Sequence, residues 1–515
     1  MKEETKKNNK TWVIIVILLI VVAGGVGIYF YTKQKSKPTP KPNVNNVTPE
    51  LTKSSYQINS NSLENFDLYF LKLENELENK AYSPLSIKYA LEMLEEGANG
   101  KTKEQIKNII GTYRSNKYLN SKNMTFANAL FIKDTYKDSI QSSYIDILKN
   151  KYDANVEFDD FSTTDHINDW VSKKTFNLIN NMFDDVSEQD FVLLNSLGID
   201  MEWIKEIQNK SKTYEASYPH INYKKIVGDI VNQGYHELNF EGNTSQKVKS
   251  VELAAVANKY DIIKELGEEN IRKKVTEEYN KWLKEMPDDT IDNFDAYLDK
   301  YIEEIKTGYN TISSSTDFRF YVDDNVKTFA KELKQYNGTT LEYIGVMPIK
   351  ENLNQYINNV KVEDINNIIS NLKDIRLENF KEGVLTEVYG YIPMFKIESE
   401  LDLVKDLNNL GIINVFDKYK ADLSNITNDG AFINSAKHKV NFEFSNEGIK
   451  AAAATAIGGL GDMDGGYFNY KFDIPVEKID LTFDKPFMFL VRDKDSGEVW
   501  FMGTVYEPIK KLNEY

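Results

Sequence analysis

The chain has 515 residues, of which 41% are hydrophobic and 28% charged, a composition that is typical of a folded protein with a buried core. Its net charge of -16 argues against a nucleic-acid partner, because there is no excess of cations to replace counterions on phosphates. The sequence has no cysteine, which excludes disulfides, thiolate metal sites and cysteine nucleophiles. With only His166, His220, His236 and His438 as histidines, we expect neither a metal site nor a cofactor.

Near its start the chain carries an uncharged apolar stretch, residues 12–31, with Trp12 at one end and Tyr29 and Tyr31 at the other. A helix of this length spans about 30 Å, the thickness of the bilayer hydrocarbon, and aromatic rings favour the two interfaces. The stretch is longer than the apolar core of a usual signal peptide, and no A-x-A-like cleavage site follows it. We therefore predict a transmembrane helix rather than a cleaved signal.

The flanks of this helix leave its orientation open. Lysines occur both in the short tail, 1–11, and in the segment that follows, 32–55, so the positive-inside rule gives nearly equal counts. The second flank is rich in Pro, Lys and Asn and predicts an extended, solvated linker. A short tail, one span, a linker and a large acidic body favour a single-pass protein whose body lies on the extracellular side.

The first half of the body alternates helical and strand patterns. Apolar residues recur at helical spacing over 61–77, and a second helix opens at Ser83-Pro84 and closes near Gly97. A further helix is predicted over 167–176, and the apolar run 191–199 is typical of a buried strand.

The second half begins with a different segment, 264–317, which is rich in Glu, Lys and Asp and predicts an inserted pair of helices. Alternation of aromatic and β-branched residues then predicts strands at 387–399, 439–445, 480–493 and 498–506. The turn between the last two predicts a hairpin. The body is thus of mixed α and β class.

One segment between two predicted strands is nearly free of large side chains. Residues 448–466 read GIKAAAATAIGGLGDMDGG, with small residues on both faces of the alternating first part. A connection of this length inside a compact body is generally either functional or unstructured. Composition alone is compatible both with a Gly/Ala linker and with an arm that enters a sheet.

Eight blocks of the sequence, taken in order, resemble the serpin family over roughly residues 56–509. They are NKAYSPLSIKYALEMLEEGANGKTKEQI (79–106), FANALFI (126–132), INDWVSKKTFNLI (167–179), LLNSLGIDMEW (193–203), IPMFKIES (392–399), LGIINVFDKYKADLSNI (410–426), NEGIKAAAATA (446–456) and DKPFMFLVRDKDSGEVWFMGTVYEP (484–508). The resemblance implies a single large domain of three β-sheets and eight or nine helices with an exposed reactive loop, here in the region 446–478.

The activity that the resemblance implies is suicide inhibition of a serine or cysteine protease. The target attacks the reactive loop and forms an acyl-enzyme, and the cleaved loop inserts as a new strand into the main sheet. This requires a native state held kinetically above a more stable one. The expected partner is therefore a protease, and we expect the chain to be a monomer and not an enzyme.

The resemblance also assigns individual residues. In the reactive loop, Gly448 matches the hinge glycine, Ile449 follows it, and a small-residue run then permits insertion: Ala451, Ala452, Ala453, Ala454 and Thr455. A polar cluster at the centre of the main sheet is matched by Ser83, Ser86, Asn195 and His438, and Trp203 matches the aromatic residue where insertion begins. A lone histidine in a strand is more often an ordinary core residue, but His438 lies eight residues before Asn446, the spacing that the resemblance implies, which favours the cluster.

The hinge departs from the family pattern at two positions. Asn446 stands where the family usually has Glu, and Ile449 stands where a Thr or Ser is usual. Ile449 is larger and stiff at χ1, so we expect slower insertion.

The loop is longer than usual, so the scissile bond is uncertain. Counting forward from Gly448 places it at Asp462-Met463, whereas counting back from Pro486 places it near Ile474-Pro475. Asp462 predicts a target that accepts an acidic residue. The other candidates are Leu460, Gly461, Tyr467 and Phe468.

Two other classes of function compete with the inhibitor. One is a surface binding or adhesion protein that uses the serpin scaffold and contacts its partner through 264–317. The other is an enzyme, but the sequence contains no G-x-S-x-G, H-E-x-x-H or P-loop motif. Asp462-x-Asp464-Gly465 lacks the ligand spacing and terminal Glu of a calcium loop.

Overall fold

A computed structural model describes residues 53–205, 207, 214–227, 236–244, 247–449 and 468–510. The predicted membrane span, 12–31, lies outside these residues, as do residues 450–467 of the predicted reactive loop. Among the helices within the described ranges, none is both long and apolar enough to cross a bilayer.

Eleven α-helices occur in the described residues. They are α1 (Asn65–Leu73), α2 (Pro84–Gly97), α3 (Gly100–Ile110), α4 (Ser142–Tyr152), α5 (Asp165–Lys174), α6 (Ile262–Leu266), α7 (Glu268–Glu285), α8 (Phe294–Thr307), α9 (Leu353–Asn359), α10 (Val362–Ser370) and α11 (Leu403–Leu410). Of these, α7 and α8 lie within the predicted insertion, and α6 overlaps its start. The resemblance implied eight or nine helices.

The strands of the described residues form five hydrogen-bonded sheets. They are β1 (Lys80–Tyr82), β2 (Met124–Lys133), β3 (Ala154–Asp159), β4 (Phe191–Ile199), β5 (Met201–Glu202), β6 (Tyr214–Ser217), β7 (Lys224–Val227), β8 (His236–Asn239), β9 (Lys247–Asn258), β10 (Thr311–Ser314), β11 (Arg319–Val322), β12 (Val326–Glu332), β13 (Leu341–Pro348), β14 (Lys373–Asp374), β15 (Leu385–Pro393), β16 (Phe395–Asp402), β17 (Lys437–Phe444), β18 (Gly448–Ile449), β19 (Val476–Asp480), β20 (Phe487–Asp493) and β21 (Val499–Val505).

The largest sheet contains the predicted C-terminal hairpin. Its order is β1-β21-β20-β13-β12-β11-β14, and β20 and β21 pair as antiparallel neighbours, as the sequence predicts. Nearly every residue of β13, β20 and β21 is buried, because this sheet lies inside the main hydrophobic core. A second sheet, β10-β9-β15-β19 with β8, has a parallel pair at its edge, β15 and β19.

A third sheet is divided into two parts that share one continuous stretch of chain. One part is β3-β2-β4 and the other is β16-β17-β18-β5, and β5 follows β4 after a single residue. We call the two parts together the split sheet. Within the described residues β4 and β17 do not pair, and only the two residues of β18 lie between β17 and β5. The division explains why five sheets are found where three were expected, the remaining one being the two-stranded ribbon β6-β7.

Helix α2 lies against the split sheet, and its start is capped as predicted. Ser83 precedes the helix, its Oγ accepts a hydrogen bond from the Ser86 N–H (3.1 Å), and Pro84 occupies the first helical position. The apolar side chains of α2 are buried in the main core. The helix therefore fixes Ser83 and Ser86 beneath the sheet.

The inserted segment forms a helical pair with a hydrophobic cluster of its own. Helices α7 and α8 supply most of this cluster, including Val275, Tyr279 and Tyr301. The helical part ends at Thr307, because residues 311–314 form β10 and pair with β9 instead. Helices α7 and α8 thus lie within the segment for which a pair was predicted, and the end of the segment returns to the sheet.

Candidate functional site

The hinge residues Gly448 and Ile449 form a short strand at the open end of the split sheet. Ile449 pairs with Phe444 of β17 on one side and with Met201 of β5 on the other, and both pairings are antiparallel. Gly448 pairs with Glu202. The chain that leaves β17 has therefore already turned back and entered the gap between β17 and β5.

A three-residue turn brings the chain back. The N–H and the Oγ of Ser445 both donate to the carbonyl of Gly448, at 3.0 and 3.1 Å. The Trp203 N–H donates to the carbonyl of Glu447 at 3.0 Å. These bonds satisfy backbone groups that the reversal would otherwise leave unpaired, so the turn is tied both to itself and to the chain after β5.

The structure gives a steric reason for glycine at position 448. A Cβ added there would lie 2.1 Å from the carbonyl oxygen of Met201 and 2.8 Å from Cα of Glu202. No side chain fits so close an approach of two backbones. The hinge can occupy the sheet only with a glycine here.

Ile449 is accommodated in this arrangement. It is 1% exposed and belongs to the main core, with Phe444 and Met201 as its neighbours in the sheet. The large side chain of Ile449 is thus already buried at the end of the gap between β17 and β5.

Trp203, which was predicted to lie where insertion begins, contacts the turn before Gly448. Its indole is fully buried and the Nε1–H donates to the carbonyl of Ser445 at 3.0 Å. The ring packs edge-on against Phe444 at 5.6 Å and Tyr343 at 6.2 Å between centroids. Trp203 therefore holds both the end of β17 and the turn. Ser445 was not predicted, because its role depends on contacts over more than 200 residues of chain.

Three of the predicted polar residues meet lower in the split sheet. The backbone N–H of Ser83 donates to Nε2 of His438 at 2.8 Å, and Ser86 is bonded to Ser83 Oγ. His438 is buried, which lowers its pKa to about 4. Because Nε2 accepts this bond, the ring is neutral with its proton on Nδ1.

Asn195 has a different partner. Its Nδ2 donates to Oδ1 of Asn128 on the adjacent β2 at 2.6 Å, and Asn128 in turn donates to the carbonyl of Tyr152 at 2.8 Å. The Oδ1 of Asn195 is buried without a hydrogen-bond partner among the described residues. Asn128 was not predicted, because a single Asn in an apolar strand does not form a recognisable sequence pattern.

The remaining predicted site residues lie outside the described residues. They are Ala451, Ala452, Ala453, Ala454, Thr455, Asp462 and Met463.

Comparison with known proteins agrees with this geometry. A family model described as Serpin (serine protease inhibitor) matches residues 65–310 and 300–508. The chain belongs to the serpin family. Among curated relatives, an uncharacterized serpin-like protein of Methanosarcina acetivorans is 25% identical over 479 residues, which cover 87% of this chain and 85% of the relative.

Solved structures support the serpin fold. The native state of tengpin, a thermophilic serpin, has a TM-score of 0.55 at 19% identity and covers 88% of this chain and 98% of its own. Thyroxine-binding globulin in complex with thyroxine has a TM-score of 0.57 at 17% identity, with 88% and 99% covered. At these identities the two structures establish the fold alone.

The split sheet of this serpin has space below the hinge. A cavity of about 80 Å³ lies at the opposite end of the gap, lined by α2 (Ile87, Leu91), the start of β4 (Phe191, Leu194) and the start of β17 (Lys437). Its other lining residues are also mostly apolar. Apolar cavities of this kind offer packing to incoming methyl groups.

Proposed function

We propose that this serpin inhibits a serine or cysteine endopeptidase by inserting its cleaved reactive loop between β17 and β4. The observation that supports the proposal is the position of Gly448 and Ile449, which already form the first two residues of such a strand. Residues that follow them in the same direction would run down the gap toward the apolar cavity.

The free energy for insertion comes from backbone pairing and burial. Within the described residues β4 and β17 share no hydrogen bonds, so a new strand gains partners on both sides along their length. Each bond contributes about 0.5–1.5 kcal/mol net, and alanine methyl groups add packing without steric cost. Ordering each inserted residue costs about 1–2 kcal/mol of backbone conformational entropy, so insertion is favourable only if these bonds and contacts together exceed that cost.

We propose Asp462-Met463 as the bond that the target attacks, with Leu460 and Gly461 as the alternatives. The second predicted position, Ile474-Pro475, borders ordered structure: the Pro475 carbonyl accepts from the Leu385 N–H (3.0 Å) and β19 begins at the next residue. An acidic residue before the bond favours a protease with a cationic specificity pocket.

We also propose that residues 12–31 anchor a monomeric protein in a membrane with its serpin domain on the extracellular side. The length of the apolar stretch and the linker over 32–55 support this placement. Protease shaving of intact cells tests it, since an extracellular domain is released before lysis, whereas an intracellular one is protected.

A surface binding or adhesion protein is the second candidate. The inserted helical pair favours it, because α7 and α8 form a unit with its own hydrophobic cluster on the serpin scaffold. An inhibitor and a binding protein differ in what happens when the loop is cut.

The deciding experiment incubates the full-length protein, in detergent, with a panel of proteases of different specificity. An inhibitor forms an SDS-resistant adduct with one of them, and mass spectrometry of the released C-terminal peptide locates the cut. In parallel, nicking of the loop raises the melting temperature if insertion occurs. A nicked protein that melts with the intact one, and no adduct with any protease, would reject the inhibitor and favour the binding protein.

A further inference from the structure

The inserted helical pair does more than pack on itself, because it also holds the chain that follows the reactive loop. We call residues 468–474 the C-terminal arm. Phe468 is 9% exposed and lies in the hydrophobic cluster of the insertion, with ring centroids 5.1 Å from Tyr279 and 6.0 Å from Tyr297. Phe472 belongs to the same cluster. Two aromatic residues of the arm are therefore buried against the insertion.

The backbone of the arm is held as well. The Tyr301 hydroxyl donates to the carbonyl of Tyr470 at 2.8 Å. The Phe472 N–H donates to the carbonyl of His220 at 2.8 Å, and the Phe472 carbonyl accepts from the Asn222 N–H at 2.8 Å. The arm thus pairs through its backbone with residues 220–222, as a strand added to the edge of a sheet does.

His220 contacts both helix α8 and the C-terminal arm. Its ring lies 3.7 Å from that of Tyr301, its Nδ1 lies 3.1 Å from Oδ1 of Asn469, and its Nε2 lies 2.6 Å from a carboxylate oxygen of Glu304 on α8. The residue has a φ of +59°, a conformation that is uncommon outside glycine. Contacts on both nitrogens and on the ring face keep it there.

We propose that α7 and α8 form a docking platform for the C-terminal arm and that this platform restricts which bond of the reactive loop a protease can attack. The inference concerns the same loop and rests on the proposed function for its consequence, although the docking itself does not. Proteases bind their substrates as extended chains whose backbone groups are free on both sides of the bond. In the arm the carbonyl of Tyr470 and both backbone groups of Phe472 are occupied, and the side chains of Phe468 and Phe472 are buried, so we expect attack within residues 450–467 rather than within the arm.

This restriction distinguishes between the candidate scissile bonds. Asp462-Met463 is separated from the platform by residues 463–467, so the arm does not include the residues on the C-terminal side of this bond. A protease cannot bind free chain on both sides of Tyr467-Phe468 or Ile474-Pro475. The docked arm begins directly after the first of these bonds and ends directly before the second. The platform is therefore a positioning element for specificity, although it lies outside the loop that it controls.

Hydrogen exchange and limited proteolysis of the full-length protein test the platform. In the unmodified protein we expect the Phe472 amide to be protected, and proteinase K in limited amount to cut within 450–467 but not within 468–475. Phe468→Ser removes the buried ring and Tyr301→Phe removes only the bond to the Tyr470 carbonyl. Both should speed exchange at Phe472, by about tenfold or more for Phe468→Ser, and open new cuts within 468–475.

Tyr321→Phe is the matched control, since it also removes one hydroxyl bond, to Asp323 (3.0 Å), but on β11. It should leave exchange at Phe472 unchanged. Equal cutting of 450–467 and 468–475 in the unmodified protein, or equal exchange in all four proteins, would overturn the platform. Neither readout uses inhibition, so a protected arm in a protein that traps no protease refutes the proposed function and leaves the docking intact.

Discussion

The backbone N–H of Ser83, at the start of α2, donates a hydrogen bond to Nε2 of His438 in β17 at 2.8 Å. The bond joins the helix beneath the split sheet to the strand that borders its gap. It requires a neutral imidazole, and burial lowers the pKa of His438 to about 4.

The first prediction follows from this pKa. Between about pH 6.5 and 4 the unfolded chain binds a proton at His438 that the folded protein does not, so the native protein loses stability as the pH falls. His438→Gln removes this titrating group. When the pH is lowered from 7.5 to 4.5, the free energy of unfolding of the variant should therefore rise by about 2–3 kcal/mol relative to that of the unmodified protein. Denaturant unfolding at both pH values measures the gain. Parallel losses in the two proteins would contradict the assignment.

Gly448→Ala should drive the hinge out of the sheet. The added methyl group overlaps the Met201 carbonyl, and we expect a loss of about 1–3 kcal/mol together with faster exchange of the Trp203 amide, whose acceptor is Glu447. Gly308→Ala is the control, because its φ is -80° and the nearest atom to the new methyl is 3.7 Å away. If both variants keep the protection of Trp203, the close approach at Gly448 is not required.

Ala453→Arg should abolish loop insertion. Ile449 faces the core, and a strand alternates its faces, so residue 453 would bury its side chain as well. An unpaired buried guanidinium is strongly unfavourable, so the adduct yield should fall at least tenfold, with the protease turning the loop over as a substrate. Ala452→Arg places the same charge on the opposite face and should retain most of the adduct. Equal yields from the two variants would argue against a strand in this register.

Lys88→Met should destabilise the fold strongly. Lys88 lies 2.7 Å from Asp67 and 3.6 Å from Glu498, and all three side chains are fully buried. Without the cation two carboxyl groups stay buried, which costs about 3–5 kcal/mol. Lys396→Met breaks an exposed pair with Glu398 (3.4 Å) and should cost less than about 1 kcal/mol. Thermal unfolding of the two variants distinguishes a buried ion cluster from a surface pair.

Asp406→Asn should stabilise the protein at alkaline pH. Both carboxylate oxygens of Asp406 lack a hydrogen-bond partner among the described residues, and burial raises its pKa to about 7. The folded protein therefore binds a proton at pH 4–7 that the unfolded chain does not, and the unmodified protein loses stability as the pH rises through this window. The stability advantage of the variant over the unmodified protein should be larger at pH 8 than at pH 5 by about 2–3 kcal/mol. An advantage that is constant with pH would show that the carboxyl group does not titrate there.

Much of the fold and of the hinge can be predicted from the sequence, because both depend on local patterns. The start of α2 at Ser83-Pro84, the buried strand over 191–199 and the C-terminal hairpin all follow from capping, periodicity and turn residues. The order of eight motif blocks was enough to identify the serpin family. Gly448 and Trp203 lie close together at the end of β17, and their roles in loop insertion stay predictions.

The partners of these residues depend on contacts between distant parts of the chain, which no local pattern encodes. Asn195 bonds to Asn128 rather than joining His438, because β2 is its neighbour in the split sheet while the gap separates β4 from β17. The acidic helical pair over 264–317 gives no sign in its own sequence that it binds residues 468–474. That contact arises because folding brings two segments more than 160 residues apart onto one hydrophobic cluster.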